Sequence, residues 1–386
     1  METVATKPVE TQVASSPKKI RHYGVTARYV DALIALAPVT IWSYLAYGVY
    51  AIRNVLLSVV TMMLAEFVFV IIKNRKVLFA KDATKKSLKD VLSPLDFLAP
   101  AISGIIFGLM VPNRDTNPEG MIYFYLIVSA LFGIILGKLV FGGTGRNIFN
   151  PAATAFVFMI VCFQSKFSGA YHWNAWGLSF LDSSASVASD ATALTLHTAS
   201  TYTWDDVSAL FFGTINGAAG ETCKIAILIG LAYLLIRRDT DWHVVVSFLV
   251  TFLCMSLIAG LFMAGHNNAV DPFAYTFYQL CSGGVLFGVT YLLADPVTLP
   301  LTKPSRVLHG ILVAMMVVMI RTFASAPEGM AYAVMMGNAL ACFIDYFQWS
   351  SPKWNRKWIL IDAISFVVIL GLFAWCMTGF DYSVLQ

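Results

Sequence analysis

Charge is what this sequence has least of. Lys, Arg, Asp and Glu supply 12% of its 386 residues, about half the roughly 25% usual in soluble domains. Hydrophobic residues make up 58%, and the mean hydropathy is +0.72. That balance excludes a soluble globular domain and indicates a polytopic membrane protein. Paired metal-ligand cysteines are missing too. Cys162, Cys223, Cys254, Cys281, Cys342 and Cys376 stand alone, with no CxxC and no Cys/His pair at metal spacing. No histidine pairs at i, i+4 with another ligand, so no metal centre is expected. A basic and aromatic groove pattern is also absent, and no nucleic-acid partner is expected.

Present instead are long apolar runs. A bilayer crossing needs about 17–25 predominantly apolar residues. Eleven stretches approach this, near 29–51, 54–72, 96–112, 121–141, 148–164, 217–236, 243–264, 273–294, 306–323, 329–348 and 358–379. The expected fold is an all-α polytopic membrane protein with about eleven transmembrane helices. The apolar stretch 207–216 is too short to span and reads as re-entrant or interfacial. The first run follows a long polar segment and lacks a small-residue cleavage site, so it reads as a retained helix. Of 26 Lys and Arg residues, 21 fall in alternate inter-span segments. The positive-inside rule then places the N-terminus and the basic loop 73–92 in the cytoplasm, and the loop 165–206 outside.

Several polar stretches interrupt the apolar runs. Phe141-Gly142-Gly143-Thr144-Gly145-Arg146-Asn147-Ile148-Phe149-Asn150-Pro151-Ala152 joins two spans. Gly142 and Gly143 permit close backbone approach, and Asn150-Pro151 suits a helix start. The N–H groups of such a start favour an anionic or carbonyl-bearing ligand; a plain tight turn is the other reading. Glu221 follows Gly217-Ala218-Ala219-Gly220 at an expected membrane boundary, either as a functional carboxylate or as a solvated interfacial one. Asp295 ends the eighth span in Ala294-Asp295-Pro296, which is also an ordinary turn starter. Glu328 and Asp345 bracket the tenth span, ~26 Å apart at helical rise, as entry and exit points for a cation or as interfacial caps. Asp31, Glu66, Asp96 and Asp362 lie near span ends, where interfacial solvation is the default; Glu66 lies deepest. The outer loop carries Ser189-Asp190-Ala191-Thr192-Ala193-Leu194-Thr195, rich in small and hydroxylic residues.

In order along the chain, GGTGRNIFNPA, SDATALT, GETCKIAILIG, GGVLFG with ADPVT, and PEGMAYAVMMGNALACFIDYF resemble the D-type membrane subunit of the Rnf electron-transport complex. They are also similar to its relative, the B-type membrane subunit of the sodium-pumping NADH:quinone reductase. The short basic N-terminus and Leu139, where the quinone-reductase subunit has Glu, lean toward the Rnf branch. The resemblance implies a ten-helix domain over 29–348, preceded by a cytoplasmic polar segment 1–28 and followed by an extra helix within 349–386. It implies FMN esterified through its phosphate to Thr192 within the Ser189–Thr195 motif, with Ser189, Ala191 and Thr195 as motif positions, and a second, non-covalent flavin, riboflavin. It further implies cation uptake or transfer by Glu221, Asp295, Glu328 and Asp345. Electrons would run from reduced ferredoxin to NAD⁺, coupled to outward Na⁺ or H⁺ movement. Expected partners are other membrane and peripheral subunits, a second flavoprotein subunit among them, an exported flavin transferase, and the lipid of a bacterial inner membrane. The chain departs from the family motif at Asp190, where Gly is usual, and at Ser186, where Asp is common. Rival readings are a quinone-reductase subunit, a cofactor-free transporter or channel, and a flavin-free assembly subunit.

Overall fold

In the computed structural model the described residues are 24–78, 91–116, 118, 120–171, 202–215, 217–266, 270–324, 329–346 and 355–379. The motif Ser189, Ala191, Thr192 and Thr195 therefore lies outside them, as does Glu328. Helix α1 (Val25–Tyr47) breaks at Gly48, whose φ of 57° is left-handed, and α2 (Val49–Lys73) follows at once. Next come α3 (Leu95–Met110), strand β1 (Arg114–Thr116), α4 (Ile122–Gly137) and α5 (Pro151–Phe163). Strand β2 (Phe167–Tyr171) pairs antiparallel with β1, Arg114 opposite Tyr171 and Thr116 opposite Phe167. Among the described residues the fold is otherwise all-α. Then follow α6 (Trp204–Phe212), α7 (Lys224–Arg237), α8 (Trp242–His266), α9 (Pro272–Cys281) and α10 (Val285–Gly288), which runs on as a π-helical turn over Val289–Leu293. The last three helices are α11 (Lys303–Phe323), α12 (Gly329–Tyr346) and α13 (Arg356–Thr378).

The bundle is turned inside out relative to a soluble one. On α2, Leu56, Val60, Leu64, Val68 and Ile72 form an exposed stripe at four-residue spacing, while Asn54, Ser58, Glu66 and the apolar Met62 are buried. A helix with an apolar outer stripe and a polar inner one is built for lipid outside and protein inside. Helix α3 packs on α2 through Gly104 and Gly108, a small-xxx-small pair. A Cβ added at either would lie 2.6 Å from an α2 backbone Cα, that of Val59 or Val55. Only glycine permits that approach.

Each of the eleven expected stretches contains a helix, but among the described residues six helices are long and apolar enough to cross a membrane. The α9–α10 pair makes a seventh if its 54° bend is counted as one span. Leu95–Met110, Pro151–Lys166 and Gly329–Asp345 are apolar but shorter, and α7 has 14 residues. Polar breaks shorten or split three of the stretches. Gly217–Cys223 forms a turn where the sixth span was expected to start, Asn150 delays α5, and Ser282–Gly284 splits the eighth. The all-α polytopic fold is as expected, and the exact count of about eleven spans is not confirmed. The stretch 207–216 becomes the nine-residue α6, capped by the reciprocal Thr203 and Asp206 bonds.

Candidate functional site

The turn between α4 and α5 builds one wall of an internal cavity. Gly142 and Gly143 adopt φ of 113° and 97°, and Lys73 Nζ donates to Gly142 O at 3.0 Å. This folds the turn over Glu66, so that Thr144 Oγ1 donates to Glu66 Oε1 at 3.3 Å. Lys138, at the end of α4, places Nζ 2.9 Å from Glu66 Oε2, with side-chain exposures of 3% and 1%. The sequence reading had put Glu66 by default in interfacial solvent. It is buried instead, because a lysine from a distant helix neutralises it. The ammonium carries three N–H donors, of which the Glu66 contact uses one, so others can turn toward the cavity.

The cavity holds ≈ 380 Å³, and Lys138, Asn147, Asn150, Asp239, Tyr291 and Asp295 are among its lining residues. That is within the roughly 300–1,000 Å³ of small-molecule and cofactor sites. Thr144 and Gly145 also line it, whereas Gly142 and Gly143 are not among the lining residues; Gly143 packs toward Phe69 and Glu66. Asn150 caps α5, its Oδ1 accepting from Ala152 N at 3.0 Å and Ala153 N at 3.4 Å. The N–H groups that the sequence reading left for an anionic ligand are thus taken by the cap itself. Oriented to satisfy both of its ends, the Asn338 amide accepts from Asn150 N at 3.0 Å and donates to Val334 O at 3.2 Å, tying α12 to this wall.

Two carboxylates close the cavity. Asp295 sits in the loop beyond the π-helical turn, where its Oδ1 accepts from Val297 N at 3.1 Å. Burial pushes its carboxyl up to about 6, against the opposing pull of the Val297 N–H and the Lys138 charge. Its partial accessibility is to the cavity it lines. At the mouth, burial and a hydrogen bond with Asp31 raise Asp239, against Arg28 and Arg237. Asp31 is itself buried and bound by Tyr233 Oη at 2.8 Å and Arg237 Nη2 at 3.2 Å, again contrary to the solvated default. Asp295 gives a pH prediction. The folded state holds its proton more tightly than the unfolded chain, so the stability it lends is present below 3.8 and lost as pH rises through about 6. The Asp295→Asn variant is expected to lose that slope. Melting temperatures of the two proteins across this window check it; parallel curves would show that Asp295 does not titrate there.

Glu221 lies elsewhere, at the α9–α10 break. It is 9% exposed, and its Oε1 accepts from Ala218 N at 3.0 Å. Added Cβ atoms at Gly217 and Gly284 would come within 3.1 and 3.3 Å of its carboxylate oxygens. Lys224 Nζ donates to the Glu221 carbonyl, and Arg321 donates to Gln279 O at 2.7 Å and Ser282 O at 3.0 Å. The break is thereby capped by cations, while Glu221 faces the N-terminus of α10, where negative charge is favoured. Eleven residues from Gly284 to Asp295 put Glu221 and Asp295 at opposite ends of this half-helix, ~16 Å apart at helical rise. Asp345 Oδ1 accepts from Leu301 N at 3.1 Å, which ties it to the same loop as Asp295. Lys138, Asp239 and Tyr291 escaped the sequence reading, since their pairing is long-range. Among the described residues no group of three metal-ligating side chains occurs.

Fold and site together define a multi-pass helical membrane protein with an internal cavity walled by titratable groups. The chain belongs to the NQR2, RnfD, RnfE family, which it matches over residues 12–351. It is similar to the B-type subunit of the Na(+)-translocating NADH-quinone reductase of Chromohalobacter salexigens, with 33% identity over 252 residues, 64% of this chain and 57% of the relative. The proteins of that name from Stutzerimonas stutzeri and Azotobacter vinelandii are 32% and 33% identical, each covering 64% of this chain and 58% of the relative. The chain thus spans less than two thirds of the length of these curated relatives. Helix α13 lies beyond the family match.

Proposed function

We propose that this chain is the flavin-carrying membrane subunit of a redox-driven Na⁺ or H⁺ translocase, with FMN esterified at Thr192 and riboflavin in the cavity. The observation that carries the reading is the cavity: its size suits a flavin ring, and the buried Lys138 amine, paired to Glu66 through one of its three N–H groups, is among its lining residues. The capped start of α5 favours a flavin without phosphate there. Bound flavin supplies one- and two-electron transfer. The chain's own residues hold and orient it: Lys138 and Asn147 offer donors, Tyr291 and the apolar α1 and α3 faces exclude water, and Asp295 takes up or releases a proton beside it. Glu221, Asp295, Glu328 and Asp345 are the cation-path candidates.

Electrons run from reduced ferredoxin to NAD⁺ in the Rnf-type reading. The printed names of the relatives favour a second reading, NADH to quinone. In either, the chain works with further membrane and peripheral subunits, including another flavoprotein, and is matured by a flavin transferase. The test is to measure covalently held flavin on this chain's own band of a denaturing gel, and acid-released flavin on the full chain separated from the other flavoprotein subunits. Membrane vesicles are then assayed with reduced ferredoxin and NAD⁺, and separately with NADH and a quinone. One covalent and one released flavin are expected; a colourless protein that still conducts cations would replace this reading with a channel.

A further inference from the structure

Helix α13 lies outside the family match and leaves a second hollow, of ≈ 530 Å³, against α8 and α11. Its apolar wall includes Val246, Val250, Ile311 and Phe366, and its polar end includes Asp362 and His243. Trp242, Val246 and Val250 are exposed on the outside of the bundle, so the hollow is a groove open to the surrounding lipid. Asp362 is 8% exposed, yet its Oδ2 has no hydrogen-bond partner. A carboxylate in such surroundings is costly unless a cation or a proton donor meets it.

Among the described residues, nearby protein groups do not meet that need. Arg306 Nη1 and His243 Nδ1 both turn to Asp241, and Arg356 and Lys357 are exposed at the start of α13. The two hydroxyls in the wall are donated to their own helix: Ser247 Oγ to Val244 O at 3.1 Å and Thr251 Oγ1 to Ser247 O at 2.8 Å. The Asp362 end of the groove therefore accepts hydrogen bonds and offers no hydroxyl hydrogen to a ligand carbonyl. A bare metal cation would find one carboxylate, with His243 turned to Asp241 and two hydroxyls bonded to their own helix, too few ligands to replace its water. A ligand with a cationic N–H donor and a hydrocarbon body fits both halves.

We propose that this groove binds an aminophospholipid, whose primary ammonium group pairs with the Asp362 carboxylate while an acyl chain lies along Val246, Val250 and Phe366. Trp242 stands at the same end of the groove, and Trp358 with Arg356 and Lys357 opens α13 there; aromatic and basic residues of this kind mark the headgroup level of a membrane. Asp362 is six residues beyond Arg356, ~9 Å deeper along the helix, within reach of a headgroup that bends inward. The site is independent of any flavin.

The full chain, purified with its complex, is stripped of annular lipid with detergent, and retained lipid is quantified by mass spectrometry. Phosphatidylethanolamine is expected to stay bound to the wild type in preference to phosphatidylglycerol. In Asp362→Asn its retention is expected to fall about tenfold, the effect of losing one charge-assisted hydrogen bond, while Asp362→Glu keeps it. As a check that needs no variant, reconstitution of the wild type with phosphatidylcholine, whose headgroup lacks N–H, is expected to leave the groove exchangeable. Equal retention of the three lipids, unchanged retention in Asp362→Asn, or recovery of a quinone in place of lipid would overturn the proposal.

Discussion

The variant Thr192→Ala is expected to run as a dark band on a denaturing gel under ultraviolet light, where the wild type fluoresces. The effect is all-or-none because a phosphoester survives denaturation and a non-covalent flavin does not. Its basis is the register of Ser189-Asp190-Ala191-Thr192-Ala193-Leu194-Thr195, in which Thr192 directly follows Ala191 and Thr195 closes the motif. Thr195→Ala serves as the comparison: it removes a hydroxyl from the same segment and is expected to weaken recognition without removing the attachment atom. Asp190 stands where the related motif usually has glycine, so Asp190→Gly is expected to keep or increase the signal. A wild-type band that is dark in cells containing the transferase would remove covalent FMN from this chain. Signal persisting in Thr192→Ala would move the ester to another hydroxyl.

The sequence made the lipid-facing architecture plain and left the interior obscure, for a physical reason. Hydropathy is a local sum, so every expected apolar stretch contains a helix. Where each helix starts depends on single turns. Asn150 fixes α5 by accepting two backbone N–H bonds, and Gly48 breaks α1 from α2 with one left-handed residue; neither moves an average over a window. Buried charge was harder still. Asp31, Glu66 and Asp362 sit in helices that read as ordinary spans, and solvation at a span end is the usual fate of such acids. Asp31 is buried because Tyr233 and Arg237 reach it from α7, and Glu66 because Lys138 reaches it from α4. Those partners lie roughly 70 to 200 residues away in sequence, and nothing periodic connects them. The turn glycines show the same split. Gly142 and Gly143 were legible as a turn, but their place above the Glu66–Lys138 pair was not.

That pair gives the second large expected effect. Glu66 and Lys138 are 2.9 Å apart and almost wholly buried. Removing one partner strands the other charge inside a membrane bundle, which costs about 3–5 kcal/mol. Lys138→Met and Glu66→Gln are each expected to lower the melting temperature of the purified complex. Glu66→Gln has the smaller effect, since Gln can still accept from Thr144 Oγ1 as Glu66 does. Replacing both, Glu66→Leu with Lys138→Met, leaves no stranded charge and is expected to recover most of the lost stability, because a buried pair contributes little net free energy over well-packed apolar residues. The double variant then separates two roles. Lys138 also lines the cavity, where the N–H groups not facing Glu66 can meet a ligand. If its amine holds a ligand there, the double variant regains its melting temperature but not its non-covalently held flavin. Recovery of both would reduce Lys138 to a counter-ion for Glu66, and recovery of neither would show that the pair fixes the Gly142–Gly145 turn on which the cavity wall depends.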